Sequence, residues 1–173
     1  PSLIMPTKIV LFGGKIMGRW AALCLQIILQ TKIIVKGKDN IIKNEKFFIA
    51  CSHQSMFETF YLQTIFNSPI FILKHELIKI PIFGWYLKKI GSLSINRNKI
   101  SKNNLGLIDK IKNTVRLSER PLIIFPQGTR VLPGETVPFK KGVGRIYDEL
   151  KINCQPVAIN SGNVWPKNGK LAL

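Results

Sequence analysis

The stretch at residues 47–66, FFIACSHQSMFETFYLQTIF, decides the fold because it holds one complete strand–loop–helix unit. The unbroken apolar run at 47–51 is typical of a strand that is buried on both faces of a sheet. A short polar loop follows, and the pattern of residues 55–66 predicts a helix. A buried strand that leads through a polar loop into a helix is the repeating unit of parallel α/β sheets.

The same alternation continues on both sides of this unit. Further strands are predicted at 32–36, 70–73, 92–95, 121–125 and 156–159, and further helices at 14–31, 81–90, 103–117 and 142–150. Strands that alternate with helices predict an α/β fold: a single domain with a mostly parallel central sheet flanked by helices.

Composition narrows the class of protein. The chain has 173 residues, 46% hydrophobic and 20% charged, which indicates one packed domain and excludes a disordered chain. Lys and Arg number 26 against 9 Asp and Glu, so the formal charge is +17 and polyanionic partners are expected: nucleic acid, anionic lipid or phosphorylated substrates. Three cysteines, far apart, argue against a disulfide framework or a cysteine-rich zinc site: Cys24, Cys51 and Cys154.

The two ends of the chain suggest a longer protein. It begins with Pro1 and stops at Leu173 just after a predicted strand, so we expect both termini to be truncated. The most apolar run, residues 20–29, is too short to span a membrane, which takes about 20 residues. Extended back to residue 16, it predicts a helix that lies in the membrane interface. We therefore divide the chain into a membrane-associated segment at 1–31 and a main domain at 32–173.

Three polar clusters each follow a predicted strand directly. They are residues 52–58, the pair Asn96-Arg97, and residues 126–130 with the sequence PQGTR. In open parallel sheets the ligand crevice lies at the carboxyl ends of the strands. We therefore expect the three clusters to meet at one edge of the sheet.

His53 and Glu58 permit two interpretations. A carboxylate in the first turn of the helix can accept from one ring nitrogen of a loop histidine and leave the other nitrogen free as a general base. Alternatively, Ser55 and Glu58 form a capping box, which needs no catalysis. The spacing alone leaves both interpretations open.

Arg97 and Arg130 are candidates for holding a phosphate, because arginine binds phosphate through two parallel hydrogen bonds. In the same turn, Gly128 allows close backbone approach and Thr129 adds a hydroxyl. The alternative for either arginine is a solvated turn. Lys74, at the end of the 70–73 strand, is open to the same two interpretations.

Taken in chain order, these motifs resemble the glycerolipid acyltransferases. The matching segments are His-x-x-x-x-acid at 53–58, Gly-x-x-x-x-x-Arg at 91–97, Phe-Pro-x-Gly-Thr-Arg at 125–130 and an apolar strand with proline at 155–159. Residues 74–84 and 139–142 match as well, so the resemblance covers about residues 15–165. Two departures stand out: Glu58 replaces the usual Asp, and Gln127 replaces the usual Glu.

The resemblance implies an enzyme of phospholipid biosynthesis that acylates the free hydroxyl of 1-acylglycerol-3-phosphate (lysophosphatidic acid) to give phosphatidic acid. It implies acyl-CoA or acyl carrier protein as the donor substrate, no cofactor, no metal and no nucleic acid. The implied location is the cytoplasmic face of a bacterial inner membrane. His53 would be the base and Glu58 its orienting partner, with backbone amides at the start of the 55–66 helix available to the oxyanion. The substrate-binding residues would be Lys74, Arg97, Gln127, Gly128, Thr129 and Arg130.

Two alternatives remain open. One is an acyltransferase for another lyso-lipid, such as a lyso-ornithine lipid, although two retained arginines favour a phosphate-bearing acceptor. The other is a non-catalytic basic module that binds membrane or nucleic acid, which would account for the charge but not for the ordered motifs.

Overall fold

The computed structural model describes residues 4–95 and 103–167, in which helices and strands alternate. The helices are α1 (Thr7–Ile28), α2 (Phe57–Ile65), α3 (Phe83–Lys89), α4 (Asn103–Leu117) and α5 (Lys141–Leu150). The strands are β1 (Phe47–Cys51), β2 (Ile70–Lys74), β3 (Leu93–Ile95), β4 (Leu122–Ile124) and β5 (Asn153–Val157). Short 3-10 turns occupy Lys38–Asn40, His75–Lys79 and Ser161–Asn163.

The described strands form one sheet in the order β3-β2-β4-β1-β5, and every pairing in it is parallel. The predicted α/β fold is therefore confirmed. β1 lies between β4 and β5, and Ile49 is level with Ile123 on one side and Gln155 on the other. The carboxyl ends of these three strands thus meet at the same edge of the sheet.

The direction of the connections explains how the helices cover the sheet. From β1 to β3 the chain moves toward one edge, and from β3 to β5 it moves back. Because crossovers between parallel strands are right-handed, opposite directions of travel place helices on opposite faces. The side chains agree: Ile111 of α4 and Ile146 of α5 share a core cluster with Phe48. Leu62 of α2 packs on the other face with Ile49.

Helix α1 begins seven residues earlier than predicted. It contains glycine at 13, 14 and 18, although glycine weakens an isolated helix. Gly14 and Gly18 are contact points with neighbouring helices, whereas Gly13 has open space beside it. A Cβ on Gly14 would lie 2.5 Å from the Gln63 side chain, and one on Gly18 would lie 2.4 Å from the Phe60 carbonyl oxygen. Tertiary packing therefore overrides the local preference.

Both faces of α1 are apolar. One face is buried on the domain through Val10, Gly14, Gly18, Ala22 and Leu25. The opposite face exposes Ile9, Phe12, Ile16, Trp20, Leu23 and Ile27. Among the described residues, α1 is the one helix long and apolar enough to cross a membrane, although core helices and signal sequences share these properties. The prediction that this segment is too short to span was therefore wrong as to length.

Two strand predictions need correction. Residues 32–36 are extended, with alternating burial, but do not pair with a neighbouring strand. Ile33 packs beside Leu25 and Phe57, so the alternation reflects side-chain burial without a hydrogen-bonded ladder. The last strand is Asn153–Val157 instead of 156–159, because its register follows β1, which ends at Cys51 opposite Val157. Pro156 is tolerated there since β5 is an edge strand, where a missing N–H is harmless.

Candidate active site

The loop between β1 and α2 brings His53 and Glu58 into contact. Nδ1 of His53 lies 2.9 Å from Oε1 of Glu58, although five residues separate them in sequence. His53 follows the end of β1 at the edge of the sheet, and Glu58 lies in the first turn of α2, which places its carboxylate beside the histidine. The Glu58 side chain is only 2% exposed, whereas that of His53 is 18% exposed. The imidazole is therefore the member of the pair that solvent or a substrate can reach.

The Glu58 carboxylate also organises the loop backbone. Its Oε1 accepts the N–H groups of Gln54 and Ser55, each at 2.7 Å. The hydroxyl of Ser55 accepts the N–H of Phe57 at 3.0 Å. The bond from the Ser55 amide is the return half of a capping box. The two interpretations of the spacing are thus not exclusive, since one carboxylate caps the helix and contacts the histidine.

These contacts determine which ring nitrogen carries the proton. Oε1 belongs to an ionised group that already accepts two amide protons, so Nδ1 of His53 must donate to it. Neutral imidazole has one N–H, and donation from Nδ1 leaves a lone pair on Nε2. A histidine in this tautomer is set up to accept a proton through Nε2.

Electrostatics keep the carboxylate charged. Burial alone would raise the pKa of Glu58, but the hydrogen bonds from His53, the Ser55 amide and the Ser161 hydroxyl outweigh it, so that the pKa is lowered from its usual 4.5. The neighbouring Cys51 behaves in the opposite way. Burial, and then the negative charge of Glu58, raise the pKa of its thiol. Cys51 is therefore a neutral core residue and not a nucleophile.

The turn after β4 lies directly beside His53. The Val131 N–H donates to the His53 carbonyl oxygen at 2.8 Å. The Phe125 ring stacks on the His53 ring, with centroids 4.1 Å apart. Gly128 has a φ of +70°, a left-handed conformation that glycine adopts without strain. The predicted convergence of the first and third polar clusters is therefore present in the structure.

The predicted substrate-binding residues differ in burial and in hydrogen bonding, and one of them is not described by the structure. Arg130, next to Val131, is partly buried and has no hydrogen-bond or ion-pair partner within the described ranges. Oε1 of Gln127 is buried and likewise lacks a partner there. Thr129 is partly buried, while Lys74 is exposed at the end of β2, level with Ile95. Arg97 lies outside the described residues.

A third loop, which the sequence did not single out, completes the site. It follows β5 and is tied to the His53 loop by three hydrogen bonds. The Ile159 amide donates to the Ser52 hydroxyl at 3.1 Å, the Gly162 amide to the Gln54 side chain at 3.2 Å, and the Ser161 hydroxyl to Oε2 of Glu58 at 2.7 Å. The signal that could have identified this loop is its position after a strand adjacent to β1.

The expectation that amides at the start of α2 serve an oxyanion needs correction. The N–H groups of Gln54, Ser55 and Phe57 already bind Glu58 or the Ser55 hydroxyl. These three amides hold the loop in place and are not available to a substrate, so the correction applies to them. Across residues 4–95 and 103–167, no three His, Cys, Asp or Glu side chains form a group that could hold a metal ion.

Comparison with known proteins shows which family has a similar sequence. The family model described as Acyltransferase matches residues 32–160. The 1-acyl-sn-glycerol-3-phosphate acyltransferase of Pseudomonas aeruginosa is 30% identical over 87% of this chain and 58% of its own length. That of Helicobacter pylori is 38% identical over 68% of this chain and 50% of its own length. The chain thus spans between half and three-fifths of these relatives.

A solved structure shares the fold. The crystal structure of the 1-acyl-sn-glycerophosphate (LPA) acyltransferase PlsC from Thermotoga maritima superposes with a TM-score of 0.73 and 27% sequence identity. The match covers 96% of this chain and 66% of that one. The family model spans most of the described domain, including the His53 loop and the turn after β4, and ends at residue 160 within the loop after β5. The chain belongs to the Acyltransferase family.

Proposed function

We propose that the protein transfers an acyl chain from a thioester donor to the free hydroxyl of 1-acylglycerol-3-phosphate, which gives phosphatidic acid. The donor is acyl-CoA or acyl carrier protein. The names of the relatives from Pseudomonas aeruginosa and Helicobacter pylori support this choice of reaction and acceptor. The proposal concerns the whole protein, of which this chain carries the acyltransferase fold.

One observation carries the proposal: His53 is bound through Nδ1 to a buried, ionised Glu58, and its imidazole is partly exposed at the carboxyl edge of the sheet. In the described part of the chain, the His53 ring has no hydrogen bond to a serine or cysteine side chain, so the arrangement provides a general base and not an activated protein nucleophile. A reaction in which the acceptor hydroxyl itself is the nucleophile needs such a base. Acyl transfer to an alcohol is that reaction.

The chemistry follows from the base. Nε2 of His53 removes the proton from the acceptor hydroxyl as its oxygen attacks the thioester carbonyl carbon. The new C–O bond forms, the tetrahedral intermediate collapses, and the C–S bond breaks. The imidazolium then returns its proton to the leaving thiolate. Glu58 stabilises the transient positive charge on His53, as the carboxylate of a catalytic triad does.

The turn at 126–130 is the proposed site for the acceptor phosphate. Arg130 is a guanidinium without a protein partner within the described ranges, one residue from the backbone contact to His53. Its planar fork suits a phosphate oxygen pair. Gly128 and Thr129 shape the turn, and Gln127, whose Oε1 is buried without a partner in the described residues, is proposed to position the substrate. Arg97 and Lys74 are proposed as further cationic contacts.

The direct test is an acyl-transfer assay of the full-length protein. The assay compares two acceptors, lysophosphatidic acid and lyso-ornithine lipid. Each acceptor is tested with acyl-CoA and, separately, with acylated acyl carrier protein as the donor. We expect transfer to lysophosphatidic acid to be faster than transfer to lyso-ornithine lipid. Comparison of the two donors identifies which thioester the protein uses. Equal transfer to the phosphate-free acceptor would contradict the proposed role of Arg130. Absence of transfer to either acceptor would contradict the function.

We further propose that α1 holds the protein at a membrane surface. One face of α1 packs on the domain along its length, from Val10 to Leu25, while the other exposes large apolar side chains such as Phe12 and Trp20. A helix attached to its own domain in this way lies in the interface, since lipid cannot surround it. The net charge of +17 attracts an anionic leaflet.

The proposed location is the cytoplasmic face of a bacterial inner membrane, where acyl-CoA and acyl carrier protein would be available. Vesicle flotation tests the surface contact. Binding should increase with the share of anionic lipid and weaken when Phe12 and Trp20 are both replaced by serine. Unchanged flotation of that variant would contradict the role of α1.

A further inference from the structure

We propose that Ser161 is a positioning residue for the His53–Glu58 pair, and that it acts by fixing the second carboxylate oxygen of Glu58. This inference rests on the proposed function, because it assigns Ser161 a part in preparing the same general base. Ser161 does not touch the imidazole and is not expected to touch either substrate. Its effect is transmitted through Glu58.

The two carboxylate oxygens of Glu58 have different hydrogen-bond partners. Oε1 of Glu58 receives Nδ1 of His53 together with the loop amides. Oε2 receives the Ser161 hydroxyl at 2.7 Å. An ionised carboxylate can only accept, so the serine hydroxyl must donate. The bond is charge-assisted and its acceptor is buried, which makes it stronger than an ordinary surface hydrogen bond.

Glutamate needs this second contact more than aspartate would. Its extra methylene adds a rotatable bond between the backbone and the carboxylate. Each unrestrained bond lets the carboxylate occupy more positions, so the negative charge is less precisely located. Holding Oε2 as well as Oε1 fixes the plane of the carboxylate. The plane in turn sets the direction in which Nδ1 of His53 must point, and therefore the direction of Nε2.

The surroundings of Ser161 hold its hydroxyl in place. Its carbonyl oxygen accepts the amides of Val164 and Trp165, at 3.2 and 2.9 Å. The next residue, Gly162, packs so closely that a Cβ there would lie 2.9 Å from Cβ of Gln54 and 3.0 Å from Cγ of Pro133. Close packing and backbone bonds together keep the loop after β5 pressed against the loop after β1.

The test compares Ser161→Ala with Ser52→Ala in the full-length protein. The two serines make a matched pair, since each hydroxyl bonds one of these loops to the other. The Ser52 hydroxyl accepts a backbone amide and does not touch Glu58. If Ser161 only tethers the loop, both variants should behave alike. If it positions Glu58, they should differ in turnover at similar melting temperatures.

We expect Ser161→Ala to lower kcat about tenfold, with both KM values within about twofold of wild type, because a lost charged hydrogen bond disturbs the base and not the binding sites. Ser52→Ala should keep kcat within about twofold. The inference is overturned if Ser161→Ala retains wild-type kcat, or if Ser52→Ala loses as much. Loss of all transfer by the wild-type protein would instead overturn the proposed function.

A second readout needs no substrate. The sequence has two histidines, so His75→Asn leaves His53 as the one imidazole for ¹⁵N NMR. With Ser161 present, the ring should hold its proton on Nδ1. Adding Ser161→Ala should increase exchange with the other tautomer, and identical ring spectra in the two proteins would overturn the inference whatever the assay shows.

Discussion

The imidazole of His53 lies against the phenyl ring of Phe125, with the ring centroids 4.1 Å apart and the planes inclined by 21°. The two residues follow neighbouring strands, β1 and β4. Glu58 holds the imidazole at its edge and Phe125 supports its face, so two contacts at right angles fix the ring. Phe125 in turn stacks on Phe71, at 6.5 Å between centroids. The orientation of the proposed base thus depends on the core of the sheet.

Replacing the stacked ring tests this support. Phe125→Leu keeps an apolar side chain of similar size but loses the flat surface, so we expect kcat to fall about five- to tenfold because the imidazole is less well oriented. Steady-state kinetics and thermal unfolding measure the change. Phe66→Leu is the control, since Phe66 packs on Phe47 in the core and should alter only the melting temperature. Equal loss of kcat in both variants would contradict the prediction.

Removing the proposed base should abolish transfer. His53→Ala should lower kcat by 10²- to 10⁴-fold, the usual contribution of a positioned general base, while the fold persists. Radiolabelled acyl transfer and circular dichroism measure the two effects. His75→Ala is the matched control, because the one side-chain hydrogen bond of His75 in the described part of the chain is to the Ser94 hydroxyl, at 3.4 Å. Retention of more than about a tenth of wild-type turnover by His53→Ala would refute the assignment.

Glu58→Gln separates the two roles of Glu58. The amide oxygen can still accept the Gln54 and Ser55 amides, so the helix cap survives and the variant should stay folded at neutral pH, with only a modest loss of stability from the missing charge. The negative charge is lost, however, and the imidazolium is no longer stabilised. We therefore expect turnover to fall at least tenfold. Glu149→Gln, at the Lys112 ion pair on the surface, is the control and should preserve turnover.

The stability of the fold should depend on Glu58 in acid. The pKa of Glu58 in the folded protein is below the usual 4.5. The ionised carboxylate therefore stabilises the fold at neutral pH, and this contribution fades below pH 4.5 and is lost as the pH falls through the lowered folded value. Urea unfolding from about pH 6 to about pH 3 should show the wild-type advantage over Glu58→Gln shrinking toward zero. An advantage that is constant over this range would contradict the shifted pKa.

Arg130 should matter for the acceptor and not for the donor. We expect Arg130→Ala to lower kcat/KM for lysophosphatidic acid by about 10- to 100-fold, with Arg130→Lys between it and wild type, since lysine keeps the charge but not the planar fork. Two-substrate kinetics distinguish the sites. Arg116→Ala, at the exposed end of α4, is the control. A rise confined to the KM of the acyl donor would move Arg130 to the donor site.

Most of the fold was predictable because it depends on local patterns. The apolar run of β1 and the helix spacing of α4 were predicted with their observed bounds. Residues 32–36 were misassigned because their alternation reports side-chain burial, which an unpaired extended segment shares with a strand. The start of α1 was predicted at residue 14, inside the observed helix, and the close contacts that bury Gly14 and Gly18 against α2 are tertiary. A sequence pattern contains no such information.

The site was predictable to the extent that it follows strand ends. His53 and Glu58 lie within one loop, and the PQGTR turn follows a strand that pairs directly with β1. Ser161 was missed because no motif marks it and 103 residues separate it from Glu58. Nor could the sequence show that the helix-capping carboxylate is also the partner of the histidine. That double role depends on the position of a single oxygen atom.

The long separation between Glu58 and Ser161 has a consequence for biosynthesis. Ribosomes add about 5 to 20 residues per second, so the 103 residues between them take about 5 to 20 s to emerge. During that interval a nascent chain has its histidine and carboxylate but lacks the edge strand and the loop that hold the carboxylate in place. The proposed acyl transfer should therefore begin only after β5 has docked. A ribosome stalled before that point would display a chain in which β1 still lacks β5 as its partner strand.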